Sequence, residues 1–585
     1  MRRVARLDLV VLSVVLAVGA SGCAERTLYY CASDSDCAAL APLDHCDVVQ
    51  HACVAQEARY DLGGGDGDGG QGVDLLPTPD LLQGSRCTQA IECADPSAPI
   101  CGASGQCEPC SSTLDDAICA THDAATPRCR TSGSGAGKCV ACRSAAPNLE
   151  SADCQAATPV CNTDGSCRTC RTHAECDSGF CDLGEGGQTG RCVPSSAVVH
   201  VDNRDLAIAT CKTMWSTMQQ GTMAEPYCDL DQAIHAVSTR SALYLTVTGR
   251  VATYGPVALS GITHGAVVVH GPGASAVPTA AITGGAVLVN VDTAGLKVVL
   301  EGMAIGNVSG SFACVSSNQA ASVTLRDVVI DKCSAAGVRT VYPSGGTLVA
   351  SQLTVKNVDG HGLEINTGGA QIDRAQILTN KQIGITLTGS GALIASTLVQ
   401  GNGMGGLDVD ALVQSGRIEN SVLRGNGNSN GAKGPVSSFG GINSDGAFHI
   451  VNCTIDSNEA TLNADPAGLR CIDGNTLALN TVLLGNLGAM SDVGAVCTLH
   501  GSAYVFATAA TNGNVSLTGC SLGDVFVKPT TPADLHPRKD ASDGCRLLDR
   551  GLASGGGATA PAIDFDGTMR PKGNGIDIGA YETVP

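Results

Sequence analysis

The residues whose types and spacing could do chemistry are Glu301, Asp327 and Arg374. They sit in a polar series, Glu301, Asp327, Ser351, Arg374, Ser396, Asn420, Asn452 and Asn480, which recurs about every two dozen residues. Two carboxylates one coil apart, Glu301 and Asp327, with Arg374 two coils further on, would suit acid/base attack on a glycosidic bond, or calcium binding. The series then turns into Ser and Asn, which fits a ladder at a turn better than a reaction centre. Aromatic residues, which stack on sugar rings in carbohydrate sites, are only 3% of the chain. His200, His235, His264, His361 and His449 are scattered, without metal-ligand spacing. The sequence therefore assigns no catalytic residue, no metal ligand and no cofactor. Glu301, Asp327 and Arg374 are the weak catalytic candidates, and calcium is the one cofactor left open.

Cysteine is the other reactive residue. The chain has 30, of which 21 precede residue 193. That number implies export to an oxidising compartment. Beyond Cys23, the next 20 form five groups of four: Cys31, Cys37, Cys46, Cys53; Cys87, Cys93, Cys101, Cys107; Cys110, Cys119, Cys129, Cys139; Cys142, Cys154, Cys161, Cys167; and Cys170, Cys176, Cys181, Cys192. C-x-x-C pairs such as Cys107-Cys110 fall where one group meets the next, so they read as structural disulfides rather than zinc or redox motifs. Four cysteines allow three pairings, and the spacing does not choose among them. Farther on, Cys211 and Cys228 are expected to close the entry loop as a disulfide, and Cys497 and Cys520, one coil apart, are expected to bond across adjacent rungs. One of Cys314, Cys333, Cys453, Cys471 and Cys545 is left over.

These residues are positioned by a repeat. Asn307, Asn357, Asn380, Asn402, Asn426, Asn458 and Asn486 each close a short apolar strand, and Cys333 fills the same place in VVIDKC. The steps are 26, 24, 23, 22, 24, 32 and 28 residues. A second phrase, glycine then an aliphatic, follows most of them: Gly337-Val338, Gly362-Leu363, Gly384-Ile385, Gly406-Leu407, Gly441-Ile442 and Gly468-Leu469. Such periodicity predicts a solenoid of three short strands per coil, with the asparagines stacked at a left-handed turn. The pairs Leu398-Val399, Val422-Leu423 and Val482-Leu483 are expected to form an inward column. The longer steps place NSNGAKGPVSS and EATLNADPA in loops. At the start, the strand AVVHVDN and an amphipathic helix in DLDQAIHAV, with Asp as N-cap, would cap the solenoid.

Composition agrees. Gly is abundant at 74 residues, only 15% of the chain is charged, and 585 residues exceed one compact core. The net charge of −20 argues against a nucleic-acid partner. Residues 1–22 read as a signal peptide, with Arg2, Arg3 and Arg6 before an apolar run. Ala20-Ser21-Gly22-Cys23 resembles the lipobox of bacterial lipoproteins, which implies lipidation at Cys23 and outer-membrane anchoring, with exposure on the cell surface. The cysteine groups resemble repeats of bacterial surface lipoproteins. The passage from HVDN to EPYCDLDQAI resembles the opening of right-handed parallel β-helices of the pectate-lyase-like superfold. Asp564-Phe565-Asp566-Gly567, Arg570-Pro571 and Asp577-Ile578-Gly579-Ala580-Tyr581-Glu582 resemble the closing phrases of the choice-of-anchor Q domain. No sorting signal is expected after Glu582. Arg570, Asp564 and Asp577 are expected to hold this closing segment by ion pairs and caps.

The resulting division is a signal peptide (1–22), a first Cys-rich module with the lipid (23–60), a Gly/Asp/Pro linker (61–86), four Cys-rich modules (87–196), a β-helix (197–533) and a C-terminal cap (534–585). The expected fold is all-β. The expected function is non-catalytic: a lipid-anchored surface protein offering a rigid β-helix for adhesion, glycan binding or envelope structure. Its partners would be the membrane, through the lipid, and a polysaccharide or another surface component. A polysaccharide lyase or glycoside hydrolase working in a groove of the β-helix is the alternative.

Overall fold

The computed structural model describes residues 87–583 with internal gaps, the longest at 203–220 and 428–438, and the backbone of His45–Asp47 and Ala52–Val54. The signal peptide, Cys23, the 61–86 linker, Cys31, Cys37, Cys211 and the first inserted loop lie outside the described residues. The chain divides into two units, Met1–Pro79 and Asp80–Pro585. In the first, His45–Asp47 and Ala52–Val54 pair antiparallel, with Cys46 opposite Cys53.

The second unit begins with four small modules, each stapled by two disulfides. The pairing is first to third and second to fourth throughout: Cys87–Cys101 and Cys93–Cys107, Cys110–Cys129 and Cys119–Cys139, Cys142–Cys161 and Cys154–Cys167, Cys170–Cys181 and Cys176–Cys192. Each C-x-x-C pair is thus split between disulfides of successive modules. The buried residues of these modules are largely the cystines themselves, so cross-links replace an apolar core that so short a segment cannot build.

From Val198 the chain winds into a parallel β-solenoid. One coil consists of Gly369–Asp373, Gln376–Leu378 and Ile383–Leu387; the next, of Ala392–Ala395, Leu398–Gln400 and Gly405–Val409, pairs with it strand for strand. The first two strand stacks merge into a 22-stranded sheet, and the third forms a separate 9-stranded sheet. Inward columns such as Val355, Ile377, Val399, Leu423, Ile455 and Leu483 are fully buried. Of the expected inward pairs only the second member faces the core. Val422 and Val482 point outward, because side chains alternate along a strand, and they pack under the C-terminal segment. The helix Leu230–Ala236 covers the first coils with Leu230, Ala233 and Ile234 buried, and the Asp229 side chain accepts the Gln232 N–H at 2.9 Å.

The asparagine column is shorter than the repeat suggests. Asn380, Asn402, Asn426, Asn458 and Asn486 form one buried ladder in which each Nδ2 donates to the next Oδ1 at 2.9–3.0 Å. That same oxygen also accepts the backbone N–H of the residue below it, as when Asn426 Oδ1 takes the Asn402 N–H at 3.0 Å. Asn307 and Asn357 are not members. Register sets Lys356 against Leu378, so Val358, not Asn357, sits under Asn380, and its N–H donates to the Asn380 side chain. Asn307 and Asn357 instead take left-handed backbone with φ of 61° and 54°, the conformation the sequence had assigned to the whole column.

The polar series slips in the same way. Asp327, Arg374, Ser396, Asn420, Asn452 and Asn480 share a left-handed turn, but Gly302 and Gln352 occupy it on the other coils, one residue past Glu301 and Ser351. A turn that needs positive φ accepts any residue that tolerates it, so the side chains there vary freely.

Three solenoid disulfides are Cys314–Cys333, Cys471–Cys497 and Cys520–Cys545. The expected Cys497–Cys520 bond is therefore incorrect. Near the end Ala503 pairs directly with Val515, about half the usual coil, so counting one coil forward from Cys497 overshoots into the cap. Cys228 is disulfide-bonded. Cys453 is the free cysteine among those described. It takes the place held by Ser421 and Thr481 on adjacent coils, and burial pushes its thiol up to about 12, which leaves it inert.

Candidate functional site

The three candidate residues do not converge. Arg374 stands 65% exposed and pairs with its neighbour Asp373 at 2.9 Å, and Asp327 sits at the turn with φ of 48°. Glu301 lies elsewhere, under the last Cys-rich module. There His173 Nδ1 accepts the Cys181 backbone N–H at 3.1 Å, so the ring proton must be on Nε2, which donates to Glu301 Oε2 at 3.0 Å. His270 Nδ1 and an Arg326 nitrogen each stand 3.9 Å from the Glu301 carboxylate. Burial raises the Glu301 pKa, but the two histidines and Arg326 outweigh it and hold the carboxyl below its usual range.

Two imidazoles and a carboxylate are a donor set for a transition metal. The tautomer opposes it, because a nitrogen that carries a proton cannot ligate, and Arg326 adds a cation beside the position. The other metal-like groupings among the described residues are cysteines already joined in disulfides. The Glu301 cluster instead fastens the module to the solenoid, beside an apolar seam of Phe180, Val193, Tyr244, Val268 and Val299.

A second outer face is covered from the other end. Ile578, Ala580, Leu535 and Leu547 pack on Val422, Val482 and Leu484 of the second strand stack. This closing segment is hydrogen-bonded to the turn series: Asn420 donates to Ile563 O at 2.6 Å, Asn452 to Asp577 O at 3.2 Å, and Asn480 to Leu552 O at 2.7 Å. Arg570 is its pin, donating to Glu582 at 2.6 Å and to the Gly579 and Ala580 carbonyls at 3.1 and 2.9 Å. Asp564 and Asp577 cap backbone N–H groups rather than pairing directly with Arg570. The Asn end of the polar series, expected as a ladder at a turn, is the seat of the cap.

The third sheet carries the remaining outer face. The residue after each glycine-aliphatic phrase points outward: Arg339, Glu364, Thr386, Asp408, Asn443 and Arg470, stacked in this order on six successive rungs. Their neighbours Val338, Leu363, Ile385, Leu407, Ile442 and Leu469 are fully buried. No hydrophobic cluster among the described residues extends over this column. Arg339 and Glu364 form a bidentate pair, Arg339 Nη2 reaching Glu364 Oε1 at 2.9 Å. Asn443 donates to Asp408 at 2.7 Å, and burial raises the Asp408 carboxyl above its usual range. His361, on the Glu364 strand, is held below its normal pKa by burial, within reach of the charges of Glu364, Asp408 and Arg339.

None of this column figures among the residues singled out from sequence, and His361 beside it does so only as one of the scattered histidines. The signal was present, since a polar residue follows every glycine-aliphatic phrase. Its meaning depends on which sheet the described front module and closing segment leave free.

The ladder's last acceptor supplies a pH test. Asn486 donates its backbone N–H to Asp492 Oδ1 at 3.2 Å, and burial raises the Asp492 carboxyl to about 6. Its unfolded value is about 3.9, so the fold favours the protonated form. The stability it lends is complete below about pH 4 and lost as pH rises through 6. Asp492→Asn keeps the acceptor without the charge. It is expected to stabilise the protein by about 1–2 kcal/mol at pH 8, with no gain at pH 4. Thermal unfolding of both proteins at the two pH values measures this.

The parallel coils define the chain as a β-helix protein preceded by disulfide-stapled modules. Residues 313–486 match the family described as right handed beta helix region, and residues 77–198 match DUF8331, a family of unknown function. Among solved structures the chain is similar to "Crystal structure of pectate lyase Pel9A", at 13% identity and a TM-score of 0.38, over 66% of this chain and 96% of that one. No curated protein matches the chain.

Proposed function

We propose that the protein is a non-catalytic, lipid-anchored bacterial surface protein that holds a rigid β-helix outward to bind a polysaccharide. The observation that carries this reading is the column from Arg339 to Arg470. It offers hydrogen-bonding side chains at the roughly 4.8 Å rung spacing along a face that neither the front module nor the cap covers. A regular rigid ladder suits an extended polymer better than a compact ligand, because little ordering entropy is lost on the protein side. The disulfide modules would then be the stalk, and the choice-of-anchor-Q-like segment a cap on the last coils.

Binding is tested on a glycan array with protein carrying Cys23→Ala, which removes the lipid. Glu364→Gln together with Asp408→Asn is expected to weaken any glycan bound by at least about tenfold, with the β-sheet circular dichroism of the parent retained. An array without hits, or a double variant that binds as well as the parent, defeats the reading. The anchor is tested separately: cells fed labelled palmitate should label the parent protein and not Cys23→Ala.

One observation favours the enzyme alternative. Asp408, with its raised pKa, and the ion-paired Glu364 lie two rungs apart, about 10 Å, near the carboxylate separation of inverting glycosidases. Release of reducing ends from a bound glycan, abolished by Asp408→Asn, would establish it.

A further inference from the structure

We infer that the joint between the last Cys-rich module and the solenoid is an acid-sensitive latch, closed while His270 is neutral and Glu301 charged, and opened as the two take up protons. Both bodies contribute to the joint. The module brings Phe180 and the turn His173–Glu175, and the solenoid brings an outward column of Thr246, His270, Glu301 and Arg326 on four successive rungs. His173 is 7% exposed, and its ring meets His270 edge-on with 4.7 Å between centroids and Phe180 at 5.2 Å. Phe180 also packs on Tyr244, beside Val193, Val268 and Val299. A single turn, Ser195–Ala197, links the module to the first solenoid strand, Val198–Val201, so the module can swing away while the coils stay paired.

Each added proton works against closure. Both ring nitrogens of His173 are engaged, Nε2 by Glu301 and Nδ1 by the Cys181 N–H, so a second proton on that ring would displace the Cys181 bond. His270 Nδ1 is sealed from water without a hydrogen-bond partner, and the nearest Glu301 oxygen, at 3.9 Å, is too far to serve one. Burial, and after it His173, hold the His270 pKa below its ordinary value against the pull of Glu301. The Glu301 carboxyl, which burial would raise, is held low by His173, His270 and Arg326. Glu175, on the His173 turn, is taken up by Arg168 at 3.0 Å. The two shifts share one sign: the closed joint binds fewer protons than the open one. Closure is therefore complete above about pH 6.5, weakens first through His270 as pH falls, and weakens further through Glu301 below about 4.3.

The test is amide hydrogen exchange of the full chain carrying Cys23→Ala, at about pH 7.5 and about pH 5, corrected for the intrinsic pH dependence of exchange. Peptides from 170–193 and 266–301 should lose about tenfold in protection at the lower pH, while the middle coils, 372–407, keep theirs. His270→Phe keeps a ring against His173 and cannot take a charge, so its joint should stay protected at both pH values. Equal protection of the parent joint at the two pH values overturns the inference, as does a loss that the middle coils share. A His270→Phe joint that opens in acid as the parent does, or that is already open at the higher pH, overturns it too, because the titration of His270 would not be the trigger.

Discussion

Arg570→Ala should cost about 3–5 kcal/mol and free the closing segment, the expected effect of removing one member of a buried ion pair. The Arg570 and Glu582 side chains are 1% and 0% exposed. With the guanidinium gone, Glu582 keeps a charge in a site whose burial already raises its pKa, and the Gly579 and Ala580 carbonyls lose their donor. Arg570→Lys should recover only part, because a compact ammonium cannot meet Glu582 and the Gly579 and Ala580 carbonyls together as the guanidinium fork does. Limited proteolysis should cut Arg570→Ala near residues 560–575 while the solenoid resists, and the melting temperature should fall. Equal protease resistance and melting temperature in the two proteins would show that the pin is dispensable.

Asn426→Ala should cost about 2–4 kcal/mol, whereas Asn357→Ala should cost less than about 1. The two residues occupy the same place in the sequence repeat and different places in the fold. Asn426 is fully buried, and its amide donates to Asn458 Oδ1 and Val399 O at 3.0 Å while its oxygen accepts from Asn402. Alanine leaves those partners unpaired inside the coil. Asn357 is exposed at a left-handed turn, donating to Asp331 at 2.8 Å and accepting from Thr379 at 3.0 Å. Denaturant unfolding of both variants separates them. Equal costs would mean that the ladder adds nothing beyond turn geometry.

Much of this molecule was legible in the chain. The Gly-aliphatic and Asn repeats set the coil length because every coil must return to the same hydrogen-bonded register. The cysteine fours announced stapled modules because segments so poor in apolar residues need cross-links. The amphipathic turn at Leu230 and the DFDG and DIGAYE phrases marked the two ends, and their roles in packing followed the residue types.

Other features depended on contacts between distant parts of the chain. A one-residue slip in register separates Asn357 from the ladder and Glu301 from the turn series, and the strings LTVKN and QILTN carry no mark of it. A half-length coil moved Cys520 from Cys497 to Cys545. Glu301 met His173, 128 positions earlier, only when the last module docked. Above all, every outward polar column reads alike in sequence. Asn420, Asn452 and Asn480 became a seat because the closing segment lies on them. The column from Arg339 to Arg470 became the candidate face because the two covering segments pack on the 22-stranded sheet instead. Periodicity fixes which residues point outward, and tertiary packing decides which of those still meet solvent.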